Sequence, residues 1–499
     1  MERNILIGID LGTTSLRAVF YDCLGNNYGV SEVKIETYHP RKDYAEQKPQ
    51  DWINALKNAI HSGMKDNNIQ KEQILAMSIA STCCTAIFAK KDGTILHDAI
   101  MWMDTRASKQ ADEIYEISNE RLSCEWMPCK LLWLKQNDKK LYDEAEVFCE
   151  CQDYLTYYLT GIWSINNNTA CNWGYNIDKH SFPIDFYEKI GLKDALNKFP
   201  DEYVYVVGDK IGNLLPDVAK DLGLLEDTIV AQGGIDSSIG ILGMGVYKEG
   251  RLALMTGSSN LTMLLTKKPM FSESTINVGP SHLINGYYTS FRATLCSNMI
   301  IEWFRKEVVN DLSDEFFDRF ELLLNNTKVG SDGLLLLDYF LGNKQPYYDN
   351  KVKGMIYGLS PTTSIGNIYR CILEGIAYGT RNLIEQYRKS GFEVNEINMS
   401  GGTCNSKIFS QIMADVCNVA INIPLEKRTV ALGCAISCTR ACNIYPSLQV
   451  GVEKMVRYKN TIYPIKENVV KYQKLFEKYN ELYPLMADWM HSLADLNIW

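Results

Sequence analysis

The chain has 499 residues, of which 46% are hydrophobic and 22% are charged, and its formal net charge is −9. At roughly 100–200 residues per domain, this length predicts two large domains or three small ones and excludes a single small binding module. The acidic balance disfavours nucleic acid as a partner, because affinity for the phosphate backbone comes from Lys and Arg side chains.

No stretch of the sequence reaches the ~18 apolar residues that a membrane-spanning helix needs. The strongest apolar run, at residues 334–337, is followed at once by Asp338. The start of the chain passes from Met1 directly into a strand-like segment and has none of the features of a secretion signal. We therefore expect a soluble, cytoplasmic protein without a membrane partner, and we leave open whether it forms a homodimer.

The fifteen cysteines are an odd number and are scattered along the chain. In the absence of a signal peptide, this usage favours reduced thiols over a disulfide framework. No paired C-x-x-C spacing indicates a zinc site. We therefore expect most of these side chains to be small buried apolar groups.

The first predicted elements are strands that are joined by tight turns. The composition of residues 4–30 predicts three strands in succession. A carboxylate, Asp10, ends the first strand, and the turn after it contains Gly12, Thr13, Thr14 and Ser15. Such a turn offers backbone N–H groups and hydroxyls to phosphate oxygens, while Asp10 can hold a hydrated magnesium ion. A plain hairpin turn is the alternative interpretation.

Helices and strands alternate through the rest of the first half. Asp51 is a candidate N-cap for a helix whose apolar face contains Trp52, Ile53, Leu56 and Ile60. Residues 74–80 then predict an apolar strand. A glycine series that ends at Gly245 is expected to interrupt regular structure and to act as a hinge, so we place two domains at residues 1–242 and 243–499.

Asp236 follows Gly233 and Gly234 and precedes two serines. An aspartate that is displayed in this way can approach a substrate hydroxyl and accept its proton during phosphoryl transfer. The alternative role is that of an N-cap for the helix that follows, and the two roles are compatible. The sequence therefore makes Asp236 a candidate catalytic base.

The second half of the chain opens with a similar hairpin. Residues 250–266 predict a strand, a turn and a second strand. The turn contains Thr256, Gly257 and Ser258 and is a second candidate phosphate site. This repetition predicts an α/β chain with two similar halves.

A glycine pair follows a predicted strand further along the second half. A buried helix is expected around residues 368–383, a strand at residues 397–400 and another helix at residues 408–416. Gly401 and Gly402 follow the strand, where paired glycines let a base or a phosphate approach the backbone closely. An ordinary turn between a strand and a helix is the alternative interpretation.

Several well-defined catalytic motifs do not occur in the sequence. There is no Walker A sequence, and the glycine-rich loop and H-R-D set of protein kinases are missing. The G-x-S-x-G motif of hydrolases and the H-E-x-x-H motif of zinc hydrolases are missing as well. The order of the weaker motifs therefore carries the functional argument.

That order resembles the FGGY family of carbohydrate kinases, within the superfamily of actin, hexokinase and Hsp70-like ATPases. The similar segments are residues 7–15, Glu46-Gln47 with Trp52, and residues 100–106, 130–133, 233–236, 255–259, 354–358, 373–377 and 400–402 with Gln411 and Ala414-Asp415. The resemblance covers nearly the whole chain. It implies two similar actin/hexokinase-like domains, of the ribonuclease H-like type, with a cleft between them.

The resemblance also implies ATP and Mg²⁺ as cofactors and a role for individual residues. Asp10 would organise the magnesium ion, and Asp236 would be the catalytic base. The implied nucleotide-binding residues are Gly12, Thr13, Thr14, Ser15, Thr256, Gly257, Ser258, Gly401, Gly402 and Asn405. These roles agree with the chemistry, because phosphoryl transfer depends mainly on positioning and on neutralising charge.

A sugar needs directional hydrogen-bond partners and a flat apolar surface. Polyol hydroxyls require placed donors and acceptors, and an aromatic ring can cover a C–H face. The candidate sugar-binding residues are Thr82, Trp102, Asp104, Arg106, Lys130 and Asp236. For Trp102 and Lys130, the alternatives are core packing and a surface charge.

The segment Ser81-Thr82-Cys83-Cys84-Thr85 bears on the identity of the sugar. Glycerol kinases of the family carry an Arg-Glu pair here, and xylulose kinases usually carry Gly-Gln-Met-His. The Ser-Thr-x-x-Thr pattern is instead similar to ribulokinases. We therefore expect a ketopentose substrate, with ribulose phosphorylated at O5 as the first candidate and xylulose or a tetritol such as erythritol as alternatives.

Two other classes of protein share this superfamily fold. A non-catalytic sensor of a sugar or a nucleotide would keep the turns but lose the base, and it is disfavoured because Asp10 and Asp236 are both present. A chaperone or filament ATPase would hydrolyse ATP without a small acceptor. It is disfavoured by Asp104, Arg106 and Asp236 together.

Overall fold

The computed structural model describes residues 3–200, 204–270 and 282–496. Contacts between Cα atoms divide the chain into two compact units. The first unit contains Met1–Tyr247, Lys267–Thr289 and Arg428–Val456, and the second contains Lys248–Thr266, Ser290–Lys427 and Arg457–Trp499. Each unit combines three chain segments, and the predicted division into residues 1–242 and 243–499 stays a prediction.

Strands and helices alternate along most of the chain. In chain order, the strands of the described residues are β1 (Ile5–Leu11), β2 (Ser15–Asp22), β3 (Asn27–Lys34), β4 (Glu46–Gln47), β5 (Ile74–Ser81), β6 (Ala86–Ala89), β7 (Ala99–Ile100), β8 (Val147–Glu150), β9 (Ile165–Asn166), β10 (Val204–Tyr205), β11 (Lys210–Asn213), β12 (Ile229–Ile235), β13 (Gly250–Thr256), β14 (Asn260–Thr266), β15 (Tyr288–Ala293), β16 (Leu335–Leu337), β17 (Met355–Tyr357), β18 (Val394–Gly401), β19 (Ala420–Pro424) and β20 (Tyr458–Ile462).

The α-helices of the same residues are α1 (Pro49–Asp66), α2 (Ser108–Ser118), α3 (Met127–Asn137), α4 (Lys139–Glu144), α5 (Cys151–Thr160), α6 (Asn167–Asn172), α7 (Ile184–Lys189), α8 (Pro216–Leu222), α9 (Asp236–Gly243), α10 (Asn298–Trp303), α11 (Phe316–Leu324), α12 (Ile365–Lys389), α13 (Lys407–Cys417), α14 (Thr429–Ala441), α15 (Leu448–Met455) and α16 (Lys466–Ala494). The helices predicted at residues 368–383 and 408–416 are confirmed by α12 and α13.

The first unit is built on a six-stranded sheet with the order β11-β12-β5-β1-β2-β3. Strands β1, β2 and β3 form an antiparallel meander, which confirms the three strands predicted at the start of the chain. Strand β5 pairs in parallel with β1 on one side and with β12 on the other. A smaller sheet with the order β4-β7-β6-β8 belongs to the same unit.

The second unit repeats this arrangement with the strand order β15-β14-β13-β18-β19-β20. Strands β13 and β14 form the predicted antiparallel hairpin, and β18 pairs in parallel with β13 and with β19. In both units, therefore, an opening hairpin is followed by strands that return in parallel after helical connections. The predicted α/β class with two similar halves is confirmed.

Helix α1 covers the first sheet with the predicted apolar face. Trp52, Leu56 and Ile60 are all buried there. The predicted start of the helix is wrong, because α1 begins at Pro49 and Asp51 lies in the first turn. Proline is favoured at this position, since its missing N–H would have no partner there. The carboxylate of Asp51 still complements the helix dipole.

The first four glycines of the series before β13 lie in regular elements, whereas the last, Gly245, lies in the turn after α9 with a φ of +87°. The hinge expected at this series stays a prediction. Gly233 and Gly234 lie within β12, and Gly240 lies within α9. Gly243 ends α9, where an added Cβ would overlap the carbonyl oxygen of Thr429 at the start of α14. These glycines belong to regular elements, and Gly243 lets two helix backbones approach closely.

All fifteen cysteines lie in described residues and are free thiols, most of them buried, as the sequence predicts. Burial raises the pKa of the Cys149 thiol well above its ordinary value, which is typical of an inert structural thiol. Within the described ranges, no helix is long and apolar enough to cross a membrane.

Candidate active site

Three parallel strands of the first unit end side by side. The last residues of β1, β5 and β12 are paired in register. Asp10 lies at the end of β1, Thr82 follows β5 and Asp236 follows β12. The carboxyl ends of parallel strands are the usual ligand-binding edge of an α/β sheet. The structure therefore brings these three predicted residues to one edge.

The turn between β1 and β2 presents hydroxyl groups at this edge. The N–H of Gly12 donates to the carbonyl of Ser15 at 3.0 Å and closes the turn. The side chain of Thr14 is exposed and that of Thr13 is partly exposed. Ser15 is buried, and its hydroxyl hydrogen-bonds to Glu32. The turn therefore offers Thr13 and Thr14 to a ligand, whereas the hydroxyl of Ser15 already has a partner.

Trp102 follows β7 and lies against the same turn. Its indole Nε1 donates to Thr13 Oγ1 at 3.1 Å. The residue is 40% exposed, so it is not the core side chain that was the alternative prediction. An exposed indole that is anchored through its N–H offers a fixed apolar face to the C–H face of a sugar.

Arg17 is a neighbour of Asp10 that the sequence reasoning missed. The two residues are paired across the β1–β2 hairpin, and Arg17 Nη1 lies 3.3 Å from Asp10 Oδ2. Burial raises the pKa of Asp10, and the charge of Arg17 opposes this shift without cancelling it. The signal was present in the sequence, because an antiparallel hairpin pairs residues that are symmetric about its turn.

Asp236 is the first residue of α9, and the N-cap position belongs to Ile235. The carboxylate Oδ1 accepts a hydrogen bond from the N–H of Ser237 at 2.6 Å. Burial raises the pKa of Asp236 to about 7, and the charge of Asp10 contributes to the increase. A carboxylate whose pKa lies near neutrality is suited to accept a proton at physiological pH.

Asp10 and Asp236 both bring carboxylate oxygens to this edge. Magnesium in phosphoryl-transfer sites is held by one or two carboxylates together with water and substrate phosphates. Asp10 and Asp236 are oxygen donors of this kind. Among the residues that the structure describes, no three His, Cys, Asp or Glu side chains gather as a metal site.

Asp104 and Arg106 lie in the interior of the first unit. Asp104 accepts hydrogen bonds from the N–H of Ala45 at 2.7 Å and from the guanidinium of Arg106 at 2.7 and 2.8 Å. Arg106 also donates to Glu46 Oε1 at 2.6 Å and lies 3.7 Å from the centroid of the Tyr44 ring. Both side chains are almost fully buried. In the structure they hold the segment after β7 instead of presenting groups to a sugar.

Lys130 is also buried, and its exposed fraction is only 1%. The ammonium group donates to the carbonyls of Cys84, Ile100 and Met101, the last two at 3.1 and 2.8 Å. An ammonium has three N–H donors, so Lys130 has none left for a sugar hydroxyl. The structure therefore does not show the predicted sugar contact of Lys130, because backbone carbonyls accept all three of its N–H donors.

The sequence reasoning also missed two buried polar side chains, Glu150 and Asn166, that bond to the segments around Thr82 and before Asp236. Glu150 ends β8 and accepts hydrogen bonds from the N–H of Cys84 and from Trp173 Nε1, both at 2.7 Å. Asn166 Nδ2 donates to the carbonyl of Gly233 at 2.7 Å. These contacts join residues that are far apart in sequence, and only the run of three asparagines was visible there.

In the second unit, the predicted nucleotide residues lie at the ends of two neighbouring parallel strands. Thr256 of β13 is paired with Gly401 of β18. The φ of Gly401 is +125°, and an added Cβ would overlap the backbone of Thr256, so this position requires glycine. Gly257, Ser258, Gly402 and Asn405 are exposed at this edge.

The turn after β13 is held by backbone hydrogen bonds. The N–H of Gly257 donates to the carbonyl of Ser259 at 2.9 Å, and the carbonyl of Ser258 accepts from the N–H of Ser297 at 2.8 Å. Thr403 Oγ1 donates to Thr256 Oγ1 at 2.6 Å and joins the two strand ends. The edge therefore combines an exposed turn and an exposed glycine pair, the features predicted for binding a phosphate and a base.

Comparison with known proteins gives two matches that together cover most of the chain. Residues 5–243 match the N-terminal domain of the FGGY family of carbohydrate kinases. Residues 252–442 match the C-terminal domain of the same family. Asp10 and Asp236 fall within the first match, and Thr256, Gly401 and Asn405 fall within the second.

Individual relatives are similar over nearly their whole length. The xylulose kinase of Staphylococcus epidermidis is 26% identical over 491 residues, with 97% of each chain covered. The ribulokinase of Bacillus licheniformis is 29% identical over 526 residues, which cover 96% of this chain and 94% of the relative. The crystal structure of xylulose kinase from Rhodospirillum rubrum has the same fold, with a TM-score of 0.86 at 19% identity over 98% of this chain and 100% of that chain.

Proposed function

The chain belongs to the FGGY family of carbohydrate kinases, and we propose that it transfers the terminal phosphoryl group of ATP to a ketopentose. Ribulose, phosphorylated at O5, is the first candidate substrate. The observation that carries the proposal is Asp236, a carboxylate with a pKa raised to about 7 at the ligand-binding edge of the first sheet, beside Asp10.

Asp236 acts as the general base in this proposal. The hydroxyl of the sugar donates a hydrogen bond to the carboxylate and loses its proton to it as the oxygen attacks the phosphorus. The N–H of Ser237 holds Oδ1 and fixes the direction in which the carboxylate points. General-base catalysis of this kind contributes about 10²- to 10⁴-fold to a rate.

Phosphate recognition is divided between two turns. In the first unit, Thr13 and Thr14 supply hydroxyls and N–H groups, and in the second unit Gly257 and Ser258 form the corresponding turn. A magnesium ion held by Asp10 would neutralise charge on the phosphates during the transfer. The exposed backbone of Gly402 provides a surface against which a purine ring can lie.

The sugar contacts that we propose are those of Thr82 and Trp102. Thr82 Oγ1 lies 3.2 Å from Thr85 Oγ1, so this hydroxyl pair offers both a donor and an acceptor. Trp102 covers an apolar face of the sugar. Asp104 and Arg106 support the Trp102 segment from the interior, since Asp104 and Arg106 bond to each other and to the backbone.

Ribulose and xylulose are the two candidates among the pentuloses. The Ser-Thr-x-x-Thr pattern at residues 81–85 favours ribulose, and a named ribulokinase is 29% identical to this chain. Xylulose is favoured by an alignment of 491 residues with a named xylulose kinase, a length that fits the 499 residues of this chain. The ribulokinase alignment extends over 526 residues and therefore includes insertions in the relative.

The proposal is tested by the release of ADP from Mg·ATP in the presence of a panel of acceptors. The panel contains D- and L-ribulose, D- and L-xylulose, erythritol, glycerol and a hexulose. We expect one pentulose to be preferred by at least ~100-fold in kcat/KM, which corresponds to about 2.7 kcal/mol of transition-state discrimination.

The other outcomes identify the alternatives. A preference for erythritol would make the protein a tetritol kinase. ATP binding without turnover on any acceptor would indicate a sensor, and ATP hydrolysis at the same rate without any sugar would indicate an ATPase. Each of these results contradicts the proposed pentulose kinase activity.

A further inference from the structure

We propose that Lys130 and Glu150, which are both buried in the interior, are positioning residues that hold the sugar-binding segments in register. The inference rests on the proposed function, since it concerns the same sugar pocket. It assigns a role to Glu150, which the sequence reasoning missed, and gives Lys130 a role different from the predicted sugar contact.

Lys130 joins two of the segments. Its ammonium donates to the carbonyl of Cys84, in the turn that follows β5 and contains Thr82. The same group donates to the carbonyls of Ile100 and Met101, immediately before Trp102. One side chain on α3 therefore fixes the distance between the Thr82 turn and the Trp102 segment.

Glu150 joins the Thr82 turn to a third segment. Its Oε2 accepts from the N–H of Cys84, and its Oε1 accepts from Trp173 Nε1 directly after α6. Asn166, which precedes α6, donates to the carbonyl of Gly233 in β12, the strand that leads to Asp236. Through these hydrogen bonds and helix α6, Glu150 connects the Thr82 turn to β12, the strand that leads to Asp236.

The two side chains meet at the backbone of Cys84. Glu150 accepts a hydrogen bond from the N–H of Cys84, and Lys130 donates one to its carbonyl. The φ of Cys84 is +59°, a left-handed conformation that is unfavourable for a residue other than glycine. Such a conformation persists only where the surroundings impose it. The two charged groups impose it here, and the turn then directs Thr82 and Cys83.

The charges also depend on each other. Burial lowers the pKa of Lys130 and raises the pKa of Glu150 to about 7, and each opposite charge counteracts the shift of the other. Removal of one group therefore removes a charge that favours the ionised form of the other. This coupling explains why a change in either residue reaches the Cys84 turn.

The experiment compares Lys130→Met and Glu150→Gln with the unmodified protein. Methionine keeps the length of the side chain but has no N–H donor. Glutamine has one carbonyl oxygen, so it can accept from the N–H of Cys84 or from Trp173 but not from both through the present geometry. Kinetics with Mg·ATP and the preferred pentulose give the KM for sugar and the KM for ATP separately.

We expect each variant to raise the KM for the sugar at least tenfold and to change the KM for ATP by less than twofold. Matched controls are Lys135→Met, a partly exposed lysine on the same helix, and Glu146→Gln, an exposed glutamate whose carboxylate accepts a hydrogen bond from the N–H of Lys91. Both controls should leave the two KM values unchanged. An equal rise in the KM values of sugar and ATP would overturn the inference, and so would wild-type values in both interior variants.

A second readout does not depend on catalysis. Cys83 is partly exposed and lies next to Cys84, the residue that Lys130 and Glu150 hold. The rate of its alkylation by iodoacetamide, measured by mass spectrometry, therefore reports the conformation of the turn. We expect alkylation at least fivefold faster in Glu150→Gln than in the wild type and in Glu146→Gln. Equal rates in the folded proteins would overturn the inference.

The alkylation test separates this inference from the proposed function. If the wild type phosphorylates no pentulose, the proposed function fails, but faster alkylation of Cys83 in Glu150→Gln still supports the positioning role of Glu150. If Lys130→Met does not fold, Glu150→Gln carries both measurements, because it preserves the volume of the side chain.

Discussion

At the position of Asp236, burial gives a carboxyl group the raised pKa that the proposed general base requires. In water an aspartate is too weak a base to take a proton from a hydroxyl efficiently. The protein removes solvent from the carboxylate and puts Asp10 near it, and both effects raise the pKa of Asp236. The one hydrogen bond from Ser237 opposes the shift only in part. The arrangement costs stability and provides reactivity.

The first prediction concerns Asp236→Asn. The amide cannot accept the proton, so kcat should fall about 10²- to 10⁴-fold, while the affinity for the sugar changes by no more than a few fold. Steady-state kinetics and calorimetric sugar binding measure the two effects. Asp185→Asn, another aspartate in the first turn of a helix, is the matched control and should keep full activity. A normal kcat in Asp236→Asn would remove this residue from the base role.

The second prediction is the pH dependence of stability. The pKa of Asp236 is raised in the folded protein from its ordinary value of 3.8 to about 7, so the folded state binds this proton more tightly than the unfolded state. Stability from this group is therefore complete below pH ~4 and is lost as the pH rises to 7. At pH 8 the free energy of unfolding of Asp236→Asn should exceed that of the wild type by on the order of 2–4 kcal/mol.

Urea unfolding of the nucleotide-free protein at pH 4.5 and pH 8 measures this difference. The gap between Asp236→Asn and the wild type should be much smaller at the lower pH. A gap that is the same at both values would show that the proton on Asp236 does not contribute.

The third prediction concerns Arg106, which neutralises buried acidic groups. Arg106→Met leaves the carboxylates of Asp104 and Glu46 without their cation, and loss of one partner of a buried ion pair costs about 3–5 kcal/mol. Arg41 lies over the same Tyr44 ring but is exposed, so Arg41→Met should cost less than about 1 kcal/mol. Thermal unfolding compares the two variants, and equal losses would contradict the role of Arg106.

At the scale of elements, the strand ends could be predicted from sequence but the packing around them could not. The hairpin at Asp10 is a local feature, because glycine and threonine between two apolar strands specify a turn. The contacts of Lys130 and Glu150 with Cys84 span 46 and 66 residues. No periodicity or spacing in the sequence records which carbonyl a distant lysine will reach.

The start of α1 and the glycines of α9 illustrate the same limit. Asp51 has the composition of an N-cap, but Pro49 begins the helix earlier. The glycines of α9 suggest a hinge because glycine weakens a helix when it is considered alone. The packing role of Gly243 is seen only when α14 is in place, since the backbone of Thr429 occupies the space of a side chain.

The fourth prediction concerns this crossing of two helices. A Cβ at Gly433 of α14 would overlap the carbonyl oxygen of Ile239 in α9. Gly433→Ala should therefore lower the free energy of unfolding by about 1–3 kcal/mol, because the backbones must move apart. Gly366→Ala in α12 is the control, since its Cβ would make only an ordinary contact with Thr327, and it should be neutral or stabilising.

Urea unfolding of Gly433→Ala and Gly366→Ala measures the two effects. A stabilised Gly433→Ala variant would contradict the close approach of α9 and α14.

At the scale of the whole molecule, the two units repeat one plan and divide the chemistry. Each sheet has a hairpin followed by parallel strands, and each carries an exposed turn at the edge where those strands end. The first unit contains Asp10, Asp236 and Trp102, and the second contains Thr256 and Gly401. We propose that the repeated turns bind phosphates, while the parts that differ hold the sugar in one unit and the nucleotide in the other.

The class of enzyme follows from the order of these parts more than from any one of them. Each turn alone is compatible with an ordinary strand connection. The predicted FGGY membership is confirmed by matches over residues 5–243 and 252–442. We propose that the identity of the sugar depends on a few side chains around Thr82 and Trp102, and such differences are small in comparison with the shared fold.

The most direct test of the account is ³¹P NMR of the reaction of Mg·ATP with ribulose and, separately, with xylulose. We predict that ADP and a sugar phosphomonoester appear in equal amounts with one of these pentuloses and that both form at least ~100-fold more slowly with Asp236→Asn. ADP accompanied by inorganic phosphate, without a sugar phosphate, would contradict the assignment as a pentulose kinase.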